Sequence, residues 1–241
     1  MNSTENNSFS IGLADGIPIG LGYLSVSFAF GIYAVSSGLS VWQAVLISML
    51  NLTSSGQLAA VPIIAAAGSI FELIATQLVI NLRYALMSIS LSQRLGPTVS
   101  GFDRLLISFY NTDEVFAVSS ARGEMLGRRY FFGIGIAPFL GWTLGTLLGA
   151  IAGNILPDML VNALEIAIYA MFIAIILPAV KKDKNTLFAV LAAASMSVAF
   201  TFIPLLSAIP TGFVIVICAV SVSALFALIA PIDDEEVAEN E

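Results

Sequence analysis

Residues 41–67 read VWQAVLISMLNLTSSGQLAAVPIIAAA, two apolar stretches parted by residues 51–57, NLTSSGQ. The whole is longer than the ~20 residues a helix needs to cross a hydrocarbon core, yet its middle is polar. Ser54 followed by Gln57 three residues on is a capping-box pattern, in which each side chain satisfies backbone donors at a helix start. The spacing therefore predicts one membrane segment in which a helix stops and restarts. A restarted helix offers backbone N–H groups and a positive dipole end, suited to an anion such as an amino acid carboxylate. Ser54, Ser55, Gly56 and Gln57 are accordingly candidate substrate-binding residues. The competing reading is plain helix packing through small residues at Ser54, Ser55 and Gly56. Irregular backbone at that depth survives only where protein or a watered cavity covers it.

The rest of the chain agrees with a membrane setting. Of 241 residues 58% are hydrophobic and 10% charged, against roughly 25% charged in a soluble domain. Hydropathy predicts an all-α polytopic membrane protein with about seven transmembrane helices, near 17–36, 41–67, 70–90, 130–152, 159–180, 186–206 and 211–229, the second of them broken. Residues 1–16 form a short polar leader, 17–230 one integral domain, and 231–241 an acidic tail expected to be disordered. No removable signal peptide is expected, because the leader lacks a basic n-region and a small-residue cleavage site. The chain has no His and one cysteine, Cys218, so neither a zinc site nor a disulfide framework is expected. No G-x-S-x-G elbow or imidazole base is present, which argues against an intramembrane hydrolase. No cofactor, metal or nucleic-acid partner is expected, and no phosphate loop for ATP appears.

Every Lys and Arg except Arg83 falls in two connections: Arg94, Arg104, Arg122, Arg128 and Arg129 in one, Lys181, Lys182 and Lys184 in the other. The positive-inside rule makes both cytoplasmic. Seven spans then put the N-terminus outside and the C-terminus inside. Residues 105–120 (LLISFYNTDEVFAVSS) are apolar enough to enter the bilayer, and Asp113 and Glu114 near their middle favour an interfacial or re-entrant segment over a full span. Pro18, Gly22 and Tyr23 in the first span are echoed by Pro138, Gly141 and Trp142 in the fourth. A three-helix unit repeated once would be inverted, although glycine and proline are common in membrane helices anyway.

Three further constellations carry polar chemistry. Gln77, Asn81, Tyr84 and Ser88 recur at helical spacing and form a stripe that must face inward; the first three are candidate substrate contacts. Arg83, off that stripe, either snorkels to the interface or holds a carboxylate or substrate anion. Asn111 looks like the cap of a helix with Glu114 at its third position; Asp113 and Glu114 are capping acids or proton-coupling groups. In the fifth span Asn162, Glu165 and Tyr169 share a face, and Glu165 either lines the pathway or pairs structurally.

At these residues the chain resembles the AzlC family, whose members act with a small membrane partner, AzlD, in branched-chain amino acid export and azaleucine resistance. Pro18 with Tyr23 and Phe28-Ala29-Phe30-Gly31 is similar to the family's opening motif. Ser55-Gly56-Gln57 is similar to its A-G-x-x-Q-F break, with Ser54 for the alanine and Leu58 for the aromatic. Asn81-Leu82-Arg83-Tyr84 matches [ND]-x-R-[HY], and Thr112 to Ala117 match T-D-E-V-F-A. Gly141-Trp142 with Gly145 and Gly149, and Leu164-Glu165 with Met171-Phe172, match two later elements. The resemblance implies a prokaryotic inner-membrane exporter of branched-chain amino acids. It also implies an AzlD-type partner, coupling or gating roles for Arg83, Asp113 and Glu114, and a place for Tyr23 among the substrate-binding candidates. Coupling to the proton gradient is expected from the acidic candidates. The alternative is a noncatalytic assembly or scaffold subunit that binds no amino acid.

Overall fold

A computed structural model of the chain describes residues 7–96, 99–122 and 125–230, with backbone alone at nine positions between 158 and 175 that include Asn162 and Glu165. The acidic tail at 231–241 lies outside the described residues. The described residues form helices α1 (Phe9–Ser36), α2 (Val41–Leu50), α3 (Ser54–Ala65), α4 (Ile70–Ile80), α5 (Leu82–Gln93), α6 (Gly101–Tyr110), α7 (Asp113–Ser120), α8 (Arg128–Gly153), α9 (Asp158–Lys182), α10 (Lys184–Phe202) and α11 (Thr211–Ile229). The protein is an all-α polytopic membrane protein. Among the described residues α1, α8, α10 and α11 are each long and apolar enough to cross a bilayer, and α4 with α5 make a fifth crossing if read as one broken span. At 25 residues α9 is also long enough, since a ~30 Å core takes ~20 residues at 1.5 Å each. The first helix begins earlier than hydropathy suggests, because the Ser8 hydroxyl accepts from the Ile11 N–H at 3.3 Å and caps it.

Two compact units divide the chain: Met1–Val61 with Asn81–Ile168, and Pro62–Ile80 with Tyr169–Glu241. The spine of the first is the pair α1 and α8, whose glycines let the two backbones meet. A Cβ on Gly20 would stand 2.6 Å from the Ala137 carbonyl oxygen, and one on Gly12, Gly31, Gly141 or Gly149 would likewise strike the facing backbone. Such close approach is how small residues drive association between membrane helices. Contacts advance together along both helices, from Gly12 opposite Tyr130 to Gly31 opposite Thr146. The helices are therefore parallel. The inverted repeat expected of these two spans required them to be antiparallel, and that expectation is corrected.

At the start of this pair Asn7 donates to the Met125 carbonyl at 2.7 Å and accepts from the Gly127 N–H at 2.9 Å. The beginning of the chain thus shares an end with the arginine-bearing connection, where the sequence reading had them on opposite faces. Seven successive crossings force that opposition, and the chain avoids it by folding back on itself.

The fold-back lies in residues 41–67. Ser48, near the end of α2, donates to Gln57, in the first turn of α3, at 3.1 Å. Ser48 also bonds Thr146 at 2.7 Å, and Trp142 donates to Gln57 at 3.1 Å. Farther along, Val61 joins Ala44, Ala34, Phe30 and Ala150 in one buried cluster. The end of α2 and the start of α3 thus both meet α8, at Thr146 and Trp142, and farther from the tip both helices join the cluster that holds Ala150. The segment is a hairpin that enters and leaves at the C-terminal end of α1 and α8, not a second crossing.

A second hairpin, α6 and α7, comes from the other end. Arg104 donates to the Ser92 carbonyl at 3.3 Å where α6 starts, and Arg94 donates to the Ser120 carbonyl at 2.7 Å where α7 stops. Residues 94–96 then pair with Leu126 through two backbone bonds and an isolated bridge. Its tip instead reaches Ser88 through Asn111 at 2.9 Å. Residues 105–120 are thus no single span but part of a helical hairpin, which begins at Gly101. There Ser100 and Asp103 form a reciprocal capping box.

In the second unit α11 packs against both α4 and α10. Glu72, 4% exposed, accepts the Gly212 N–H at 2.8 Å in the first turn of α11. Phe71 lies beside Phe213 with ring centroids 6.0 Å apart. Gly212 has no room for a side chain, since a Cβ would stand 2.6 Å from both Glu72 Cγ and Thr76 Oγ1.

Candidate functional site

Three helix breaks meet in the first unit: Asn51 to Thr53 at one hairpin tip, Asn81 between α4 and α5, and Asn111 with Thr112 at the other tip. Around them lies a cleft of about 220 Å³, lined among others by Asn51, Thr53, Asn81, Tyr84, Asn111 and Thr112. Each break has a local cause. Asn51 is extended and ends α2 by donating to the Ile47 carbonyl. Thr112 is extended and its hydroxyl accepts from the Val115 N–H at 3.4 Å, starting α7. Asparagine and threonine favour such places because their short polar side chains compete with helical hydrogen bonding. The cleft therefore gathers polar side chains and the residues at which α3, α5 and α7 begin. Helix first turns present backbone donors and a positive dipole end.

The caps differ from expectation by one residue. Gln57 donates its backbone N–H to the Thr53 carbonyl at 3.0 Å, so Ser54 is already inside α3 and makes no capping box with Gln57. The Gln57 side chain is drawn away by better partners. It is fully buried, its oxygen accepts from Ser48 and Trp142, and its amide donates to the Asn51 carbonyl. Gln57 pins the hairpin tip, while Asn51 and Thr53 line the cleft. Tyr23 and Leu52 pack on Trp142, with the Tyr23 and Trp142 rings edge to face at 5.1 Å. At the other tip Thr112 is the cap of α7, and Asn111 ends α6.

Beside the cleft, the first turn of α7 carries two carboxylates with different company. Asp113 pairs with Arg83 at 2.9 Å, and Tyr84 stands 3.4 Å from the same oxygen. Arg83 also donates to the Tyr84 hydroxyl at 3.0 Å and lies over its ring. Of the two readings of Arg83, carboxylate holding is the one observed. Glu114 accepts from the Tyr23 hydroxyl. The ion pairs among the described residues are Arg83 with Asp113 and Arg122 with Asp15, so Glu114 has no cation within bonding distance. Acids in a first turn are also favoured by the helix dipole.

The stripe from Gln77 to Ser88 is not on one continuous helix, because the helix breaks and bends by 46° at Asn81. The Glu165 side chain lies outside the described residues.

Two clusters escaped the sequence reading. Asp15 takes two bonds from Arg122, at 2.7 and 3.1 Å, and one from Tyr130 at 2.9 Å, with the guanidinium over the Tyr130 ring. Nothing in the spacing of 15, 122 and 130 announces it. Glu72 was findable, since an acid inside an apolar run is a functional or structural signal by default. A larger recess of about 450 Å³ in the second unit is lined by Asp183, Thr186 and Phe226. Its carboxylate is already spent: the Thr186 hydroxyl and the N–H groups of Thr186 and Asn185 cap α10 through it and hold its carboxyl below the usual carboxylate range.

The family model described as AzlC protein matches residues 18–156, more than half of the chain and all of the cleft. This chain belongs to the AzlC family. An uncharacterized membrane protein of Archaeoglobus fulgidus is 32% identical over 183 residues, covering 74% of this chain and 78% of its own. Inner membrane protein YgaZ of Escherichia coli is 30% identical over 151 residues, 61% of this chain and 62% of its own. An uncharacterized membrane protein of Helicobacter pylori is 24% identical over 172 residues, 70% of this chain and 74% of its own. No solved structure matches. The match over 18–156 contains both hairpins and Arg83, Asp113 and Glu114, so this AzlC-family chain carries its candidate chemistry within the family's shared region.

Proposed function

We propose that this AzlC-family protein is the transporter subunit that exports branched-chain amino acids by proton-coupled secondary transport, together with a small AzlD-type membrane protein. The observation that carries the reading is the meeting of three helix breaks around one polar cleft inside an apolar bundle. A zwitterion needs donors for its carboxylate and acceptors for its ammonium, and helix first turns beside asparagine and threonine side chains supply both. Broken helices around a mid-membrane site are also a recurring design of secondary transporters. The aliphatic side chain of the substrate rests on Leu50 and Leu52 at the same cleft.

Glu114 is the better coupling acid. Protonating Asp113 would sacrifice its bond to Arg83, whereas Glu114 gives up no ion pair. The arginine end faces the cytoplasm by the positive-inside rule. Asn7 stands at that end, so the N-terminus is cytoplasmic too. The same rule assigns Lys181, Lys182 and Lys184 to the cytoplasmic side of an inner membrane. Counterflow of labelled valine, leucine and isoleucine in proteoliposomes, with and without the small partner, tests the proposal. Saturable flux that responds to an imposed pH gradient is expected. Its absence from both preparations would leave the scaffold reading instead.

A further inference from the structure

A second cavity, of about 140 Å³, adjoins the cleft and shares Ser108 and Asn111 with it. It lies between α5 and α6 and runs past Ser88 and Ser92 to Arg104 and Leu95, which is the arginine end. Asn111 stands where the two spaces meet. It is 4% exposed, its amide nitrogen bonds the Ser88 hydroxyl at 2.9 Å, and its side-chain oxygen is buried with no hydrogen-bond partner among the described residues. Buried polar atoms are nearly always partnered, and an exception calls for a reason.

We infer that the two cavities are successive stations of one route, and that Asn111 accepts the substrate's ammonium at the neck between them. The inference rests on reading the cleft as the amino acid site. An ammonium carries three donors and no acceptor, so it needs a chain of oxygens to follow. The unpartnered Asn111 oxygen begins that chain. Ser88 and Ser92, four residues apart, continue it on one face of α5. At the far end the Arg104 guanidinium, anchored on the Ser92 carbonyl at 3.3 Å, faces the carboxylate. In this conformation the Asn111–Ser88 bond closes the neck, and an arriving ammonium replaces it.

Cys218 is the only cysteine of the chain, so a Cys218→Ala background allows single reporters at Thr53 in the cleft and Ser92 in the second cavity. A charged, membrane-impermeant thiol reagent should reach Ser92→Cys from the arginine side, and leucine should slow that reaction as it slows the one at Thr53→Cys. The keto acid with the leucine skeleton, which lacks the ammonium, should protect neither. Asn111→Leu should weaken leucine binding roughly tenfold, with Asn111→Asp retaining it, as expected for one lost charge-assisted bond. Protection at Thr53→Cys with none at Ser92→Cys would overturn the route and leave the cleft reading standing. No leucine protection at either position would overturn both. Equal protection by the keto acid would remove the ammonium role of Asn111.

Discussion

Ser48 and Gln57 are nine residues apart in sequence, and their side chains are joined by a hydrogen bond of 3.1 Å. Along one straight helix they would be ~13 Å apart. The bond is therefore the signature of a chain that turns back within the bilayer. A fold-back here predicts that positions 38 and 66, flanking this segment, are reached from one side of the membrane. Cysteines placed at Gly38 and Ala66 should label from the same face, and one at Gly96 from the opposite face. Labelling of positions 38 and 66 from opposite faces would restore the single-span reading.

Gln57 holds that turn with both ends of its amide buried among Ser48, Trp142 and the Asn51 carbonyl. Removing it leaves donors and an acceptor without partners, each a loss of about 1–3 kcal/mol. Gln57→Leu should lower the thermal midpoint of the purified protein clearly, and transport with it. Gln57→Glu keeps the acceptor oxygens and should unfold at an intermediate temperature.

Along α1, Gly20 and Gly22 differ by two residues and by their neighbours. Gly20 faces the Ala137 carbonyl at a distance no Cβ can share, while nothing lies within 4 Å of a Cβ on Gly22. Gly20→Ala should destabilise by about 1–3 kcal/mol, the usual cost of overpacking. Gly22→Ala should leave the melting temperature unchanged or slightly raised, since alanine favours helix over glycine. Equal effects of the two would argue against the tight pairing of α1 and α8.

Asp113 and Glu114 are adjacent, yet one is paired with Arg83 and the other with the Tyr23 hydroxyl. Glu114→Gln should flatten the pH dependence of amino acid flux. Asp113→Asn should reduce the flux by freeing Arg83 but preserve the shape of its pH profile. The reverse pattern would assign coupling to Asp113.

How much of this was legible in the sequence follows from what hydropathy encodes. It records which residues prefer lipid, so the apolar character of α1, α8, α10 and α11 and the polar interruption at 51–57 could be read directly. It does not record direction. Residues 41–67 are long enough for a span, and only the bond of Ser48 to Gln57 and the cluster that Val61 shares with Ala44 and Ala150 make them a hairpin. At 105–120, by contrast, Asp113 and Glu114 made a full crossing costly, and the chain there is broken into two short helices. The site was legible as residue types. Asn81, Tyr84, Thr112 and the acids were visible as polar residues in apolar runs, but the meeting of Asn51, Asn81 and Asn111 joins positions about thirty residues apart that share no helical face. The Asp15–Arg122 pair was hidden for the same reason.

We propose that an amino acid sits where those three breaks meet. Equilibrium binding of labelled leucine to the purified protein and to Asn81→Leu tests it most directly. Asn81 lines the cleft and makes no capping bond to α5, so a leucine there fills the space without removing a cap. Saturable binding to the native protein is expected, with its loss, by roughly tenfold or more in affinity, in an Asn81→Leu variant that melts at the native temperature. Undiminished binding to that folded variant would contradict it.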